Sequence, residues 1–428
     1  MMFMNLDTGD FVRIKKDGKI FEGLVMPSTE FTGQNIIVLK LKNGYNVGID
    51  LTNAKYEIIK KKEKLEEKSF SFSFDKSKPK ISIFSTGGTI ASKVEYGTGA
   101  VKALMKPEEL IGSIPELYNF VCVESTYTPF LKMSEDLCPK DWILLAKEVS
   151  KVIQKVDGII IFHGTDTMHF TSAALSFMIS CKKPIILTGA QRSSDRPSSD
   201  AAMNVICSAI AATKDLGETA ICMHATMSDD FCYVLRGTKV RKMHSSRRDA
   251  FRPINCLPLA KVFPDGKFEK ISEYVLRDNT ADVKLDAVFE EKTAILKTYP
   301  GASPEIIDFY LEKGYKGLVL EGTGLGHVPT RGENSWIKNI EKAIKEGCVV
   351  AITTQTLYGR THPSVYENLR ILSKTGAVFC EDMLPETAYV KLGWLLGHNL
   401  SPEEVCRKMR ENLRGEISER SIPESFLF

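Results

Sequence analysis

The chain has 428 residues, 43% hydrophobic and 26% charged, which is globular composition with length for two or three domains and excludes a disordered or fibrous class. No run of about eighteen apolar residues is present, so no transmembrane span is expected, and Met1–Asn5 lacks the basic start and long apolar stretch of a signal peptide. The net charge of +3 is unevenly placed, residues 1–80 carrying 15 Lys/Arg against 11 Asp/Glu; that excess permits nucleic-acid binding but is too small to establish it.

Taken in order, residues 5–60 read as a small β-barrel. Asp10–Ile14 alternates polar and apolar, Asp17-Gly18 signals a hairpin turn, and Ile20–Val25 follows as the return strand. After a loop at Pro27–Gly33, Ile36–Leu41 is a strand, Asn43-Gly44 a second hairpin turn and Tyr45–Leu51 its return. Short strands at this spacing predict an SH3-like barrel with no catalytic constellation of its own, hence a docking role. Lys60–Lys68 is a mixed-charge linker or short helix, and Ser69–Phe74 alternates Ser with Phe as a strand or apolar strap.

From Ile81 the pattern alternates strand and helix, as a mostly parallel sheet covered on both faces requires. Strands are predicted at Pro79–Ser85, Val121–Tyr127, Asp157–Phe162, Pro184–Thr188, Thr219–His224 and Cys232–Leu235. Helices are predicted at Lys106–Ile114, from Cys138 to about Gln154, at Thr167–Ile179 and at Ser198–Ala212, the last capped by Ser198 or Ser199. Residues 266–290 read as peripheral strands or a connection. A second α/β unit starts near Lys292, with strands at Ala294–Thr298, Gly317–Glu321, Cys348–Thr353 and Ala377–Cys380. The ten cysteines run from Cys122 to Cys406 without paired spacing, and read as reduced core thiols.

Chemistry concentrates after two of these strands. Thr86-Gly87-Gly88-Thr89-Ile90-Ala91 follows the first, and its glycines permit a sharp turn and close approach of backbone to a ligand. No Gly-Lys-Ser/Thr follows, so it is not a phosphate loop, and on its own the turn could serve only to cap backbone groups. The second hydroxyl-bearing turn is His163-Gly164-Thr165-Asp166-Thr167. Two such turns at the carboxyl ends of strands can face one another across an open α/β sheet, where ligands bind.

These two motifs resemble the L-asparaginase/glutaminase family, from about Lys80 to the C-terminus, with Leu235-Arg236-Gly237 and Lys242 similar to its third element. The tail Cys380–Leu392 and the N-terminal extension narrow the resemblance to the tRNA-dependent amidotransferase branch of that family. It implies an α/β fold of two asparaginase-like domains with mostly parallel sheets behind an SH3-like barrel, divided at 1–75, 76–285 and 286–428. It implies Thr89 as nucleophile, with Thr165, Asp166, Lys242 and Tyr96 as catalytic partners. Gly88, Ser134, Glu135 and Asp166 would bind substrate, Asp166 at the α-ammonium group. The activity implied is hydrolysis of glutamine, with ammonia delivered to an E-type partner subunit that uses ATP and Mg to amidate Glu-tRNA(Gln). This chain would need no cofactor or metal, and would form a homodimer within a cytoplasmic heterotetramer, meeting tRNA chiefly through the partner.

Two residues keep a second reading. Tyr96, in Glu95-Tyr96-Gly97-Thr98-Gly99, could relay a proton or merely close a lid. Lys242, in Lys239-Val240-Arg241-Lys242, reads by itself as one more basic residue of a surface strand; the resemblance makes it a proton relay. His163 is expected to brace its loop rather than bind metal, since the seven histidines are dispersed. Gly322-Thr323-Gly324-Leu325-Gly326 falls short of a dinucleotide loop. Glu135 stands where many asparaginases carry Gln or Asp, which leaves the preferred amide open. The alternatives are a free cytosolic L-asparaginase and an inactive RNA-docking scaffold.

Overall fold

The structure is a computed structural model that describes residues 6–26, 35–41, 46–61, 75–94, 101–103, 107–112, 114–193 and 199–428. Residues 11–60 form a five-stranded antiparallel sheet in the order Asn46–Asp50, Ile36–Leu41, Lys19–Met26, Phe11–Lys16, Lys55–Lys60. Asp17 and Gly18 both take positive φ (48° and 72°), as a two-residue hairpin turn between Lys16 and Lys19 requires. Inward residues at alternate positions, Val12, Ile14, Val25, Leu39 and Ile49, make a small core. The strand Lys55–Lys60 was not expected from the sequence, because its residues are nearly all exposed and no apolar alternation marks it. The expected linker, for all but its first residues, and the Ser-Phe strap fall at 62–74, outside the described residues.

An eight-stranded sheet carries the first α/β unit. Its order is Phe268–Lys270, Ala260–Val262, Cys232–Arg236, Thr219–His224, Ile185–Thr188, Gly158–Phe162, Lys80–Ser85, Cys122–Tyr127. The last five are parallel and the first three antiparallel. Every residue of Gly158–Phe162 is buried, which is why that strand reads as an unbroken apolar run. In chain order the five parallel strands lie 2-1-3-4-5. The order therefore reverses between Lys80–Ser85 and Gly158–Phe162, and the crevice at their carboxyl ends is where such sheets bind ligands.

Helix Ala201–Ala212 begins one residue later than a serine cap would set. Asp200 occupies the cap position and its carboxylate accepts the backbone N–H of Gln191 and Arg192. Ser198 lies outside the described residues, and the Ser199 hydroxyl bonds instead to Arg192 O and Ala201 N.

The second unit has four parallel strands in sequence order, Thr293–Lys297, Gly317–Gly322, Val349–Thr354 and Val378–Phe379. Helix Pro385–Leu396 packs against helix Met168–Met178 of the first unit, Phe177 stacking on Trp394 at 5.6 Å between ring centres. All ten cysteines are free thiols, six of them buried in the two α/β units. Among the described residues no helix is long and apolar enough to cross a membrane.

Candidate active site

The two threonine turns meet at the point where the strand order reverses. Thr86 extends its strand by donating its N–H and its hydroxyl to Phe162 O, at 2.9 and 3.0 Å. The chain then turns through Gly87 and Gly88, both at positive φ, and Gly88 N donates to Lys132 O at 3.1 Å. A Cβ on Gly88 would stand 2.2 Å from the Gly164 Cα, so the turns touch backbone to backbone and admit no side chain between them. Gly164 in turn abuts Ser134, whose Oγ would lie 2.8 Å from a Cβ placed there. Thr167 Oγ1 donates to Ser134 O at 2.7 Å, which ties the third loop to the second.

Thr89 follows directly, opening a short 3-10 turn over Thr89–Ala91 and half-buried. Lys242 ends the three-residue strand Val240–Lys242 and reaches back to the second turn. Its Nζ donates to Thr165 Oγ1 at 2.8 Å and to Asp166 Oδ1 at 2.6 Å. The lysine side chain is only 9% exposed, whereas Asp166 is 61% exposed and open to an incoming group. This overturns the surface-strand reading of Lys242. A recess of about 410 Å³ opens here, lined among others by Asp166, His169, Arg241, Lys242 and Glu386.

His163 is fully buried; its Nδ1 lies 2.7 Å from Gly164 O, bracing the loop as expected. Burial pushes its imidazole down to about 4, against the smaller upward pull of that carbonyl, so the ring is neutral at physiological pH. His169, in the helix that follows the loop, is pushed down to about 3 by the same desolvation. Among the described residues no three His, Cys, Asp or Glu side chains gather as metal ligands would.

Of the residues singled out in the sequence, the fold thus brings Thr165, Asp166 and Lys242 into direct contact. It sets Gly88, with Thr89 next to it, and Ser134 against the same loop. Glu135 is exposed on the turn Ser134–Asp136. Tyr96 lies outside the described residues. Sequence reasoning missed Lys132, whose carbonyl holds Gly88 and whose Nζ pairs with Asp141 at 2.7 Å. It also missed Asp382 and Glu386, although both fall within the tail that narrowed the resemblance. No local pattern separates such positions from ordinary surface charge.

Comparison with known proteins matches the fold. Residues 80–274 match the model of the asparaginase N-terminal domain, 292–409 that of the glutaminase/asparaginase C-terminal domain, and 6–59 that of the GatD N-terminal domain. The chain is 48% identical over 423 residues to the D-type subunit of glutamyl-tRNA(Gln) amidotransferase from Pyrococcus horikoshii, covering 97% of this chain and 95% of that one. The protein of the same name from Methanothermobacter thermautotrophicus is 44% identical over 420 residues, again 97% and 95%. Among solved structures, the thermostable L-asparaginase from Thermococcus kodakarensis superposes with a TM-score of 0.71 at 30% identity, over 80% of this chain and 100% of that one.

Proposed function

The chain belongs to the family of D-type subunits of glutamyl-tRNA(Gln) amidotransferase, with an asparaginase-type body, and from that premise we propose that it is the glutaminase component of such an enzyme. The observation that carries this reading is the contact of Lys242 with Thr165 and Asp166, beside the turn that presents Thr89. A threonine hydroxyl attacks only when its proton has somewhere to go and the developing oxyanion is met by donors. In this reading Thr89 Oγ adds to the side-chain carbonyl of glutamine, and Tyr96 relays the hydroxyl proton to the leaving nitrogen. The C–N bond breaks, ammonia departs and a glutamyl ester remains on Thr89. Water, losing its proton toward Thr165 and Lys242, then adds to the ester carbonyl, the C–O bond to Thr89 breaks, the Thr89 oxygen recovers a proton through Tyr96, and glutamate departs.

Asp166 links binding to chemistry. Its carboxylate now holds the Lys242 ammonium, and its exposed side can take the α-ammonium group of glutamine. The substrate ammonium and Lys242 would thus share one carboxylate, which ties substrate arrival to the group that meets Thr165. Ser134, Glu135 and Gly88 would hold the remaining substrate ends.

The ammonia goes, on this account, to an E-type partner subunit that uses ATP and Mg to amidate Glu-tRNA(Gln). The assembly is a cytoplasmic heterotetramer built on a homodimer of this chain, with tRNA held chiefly by the partner. The overlay on a solved L-asparaginase supports a second reading, a free asparaginase. The assay that decides is hydrolysis of glutamine and of asparagine by the chain alone, with the partner, and with partner, ATP, Mg and Glu-tRNA(Gln). We expect glutamine to be preferred and its turnover to rise roughly a hundredfold in the full system. Such a rise needs about 2.7 kcal/mol, within the ~1–3 kcal/mol usual for coupled sites. Equal rates in all three, with asparagine preferred, would establish the asparaginase instead.

A further inference from the structure

Lys242 depends on a weak support. Among the described residues Val240–Lys242 pairs only with Phe251–Pro253, and a two-stranded ribbon of three residues is not stable by itself. Val240 and Phe251 are buried in the core of the first unit, and the charged and polar ties that fix the residues on either side of Val240 come from the second α/β unit. Lys239, three residues before Lys242, lies 2.5 Å from Asp382 Oδ2, the side chains 2% and 1% exposed. Arg241, the neighbour of Lys242, lies 2.7 Å from Glu386 Oε1. Thr387 Oγ1 donates to Thr238 O at 2.9 Å, a third tie to the residues that lead into the ribbon.

Asp382 is itself fixed. Its backbone carbonyl accepts Asn255 Nδ2 at 3.2 Å, which pins the main chain, and its Oδ1 accepts Ser418 N at 2.9 Å, so the carboxylate cannot turn away without breaking that second bond. Glu386 sits in the first turn of helix Pro385–Leu396, which packs on the helix that follows Asp166 and Thr167. The brace and the residues it serves are thus referred to one rigid junction.

We infer that Asp382 and Glu386 are positioning residues, setting the reach of Lys242 to Thr165 and Asp166 through the Lys239–Asp382 and Arg241–Glu386 bridges. The second unit contributes neither threonine motif, yet on this account turnover depends on it, because a displacement of about 1 Å in a catalytic group costs on the order of a hundredfold in rate. The inference rests on the proposed role of Lys242 in glutamine hydrolysis.

The test uses the full chain in complex with its partner, reading kcat, KM and thermal melting for glutamine hydrolysis. Glu386→Gln keeps the shape and removes the charge; we expect kcat to fall about tenfold or more with KM within about twofold, because Asp166 and Ser134 are untouched. A merely structural role would lower the melting temperature and leave kcat of the folded enzyme unchanged, and that result overturns the proposal. Asp382→Asn strands the Lys239 charge in the interior, so the paired change Lys239→Met with Asp382→Leu is the companion; a folded protein with full kcat again overturns it. In a Lys242→Met background, Glu386→Gln should leave the residual rate unchanged, since its effect passes through the lysine. A further tenfold fall there would show that Glu386 acts directly, against the proposal. Wild-type turnover by Lys242→Met alone would instead overturn the role of Lys242, and the bridges with it.

Discussion

At the scale of single residues, this site shows how burial changes what a side chain can do. Lys242 is set among basic neighbours that would pass for a solvated strand, yet, as the resemblance implied, its ammonium is turned inward onto Thr165 and Asp166. His163 is the converse, a titratable ring removed from proton chemistry by its surroundings. In the unfolded chain an imidazole takes its proton near 6.5, in this fold only near 4. Between those values the unfolded state binds more protons, so stability present above pH 6.5 is lost as the pH falls toward 4. The loss attributable to this ring amounts to about 3 kcal/mol, and His169 adds to it in the same direction. Denaturant unfolding at pH 7 and pH 4.5 checks this. Wild type should lose stability over that interval, and His163→Gln, uncharged at both, should lose distinctly less.

At the scale of elements, the site is the meeting of two strand-turn units, and their glycines decide how close they come. Replacing Gly88 by Ala would drive a Cβ into Gly164 and force a side chain onto a residue at φ 76°. Overpacking of this kind costs ~1–3 kcal/mol and the left-handed backbone about 1 kcal/mol more. We expect Gly88→Ala to lower the melting temperature and to reduce kcat at least a hundredfold by displacing Thr89, measured on the fraction that remains folded. These elements were largely legible. The run Gly-Ile-Ile-Ile-Phe reads as a strand, which the fold buries on both faces, and the glycine-threonine turns lay at strand ends where a ligand crevice forms. The strand Lys55–Lys60 was not legible, since an exposed strand carries no apolar period. The helix cap at Asp200 was misplaced onto a serine because what selects it is the tertiary demand of the Gln191 and Arg192 amides.

At the scale of the whole molecule, two α/β units are joined by buried charge as well as by apolar packing. Alternating strands and helices made both units readable, but pairs such as Lys239–Asp382, 143 residues apart, leave no trace in local sequence. Within the second unit Lys391 and Glu416 form a further pair, both fully buried, and the lysine also donates to the carbonyl of Met409. Removing one partner of a buried pair costs about 3–5 kcal/mol because the other charge is stranded. Lys391→Met should therefore lower the denaturation midpoint sharply, and adding Glu416→Gln should recover part of the loss. The claim on which the functional account turns is that Thr89, and not Thr165, carries the acyl group. An electrophilic glutamine analogue, a diazoketone, followed by peptide mapping of the labelled protein, tests it most directly. The account predicts a single adduct on the peptide containing Thr89 and none in Thr89→Val. An adduct on Thr165, or wild-type turnover by a folded Thr89→Val protein, would contradict it.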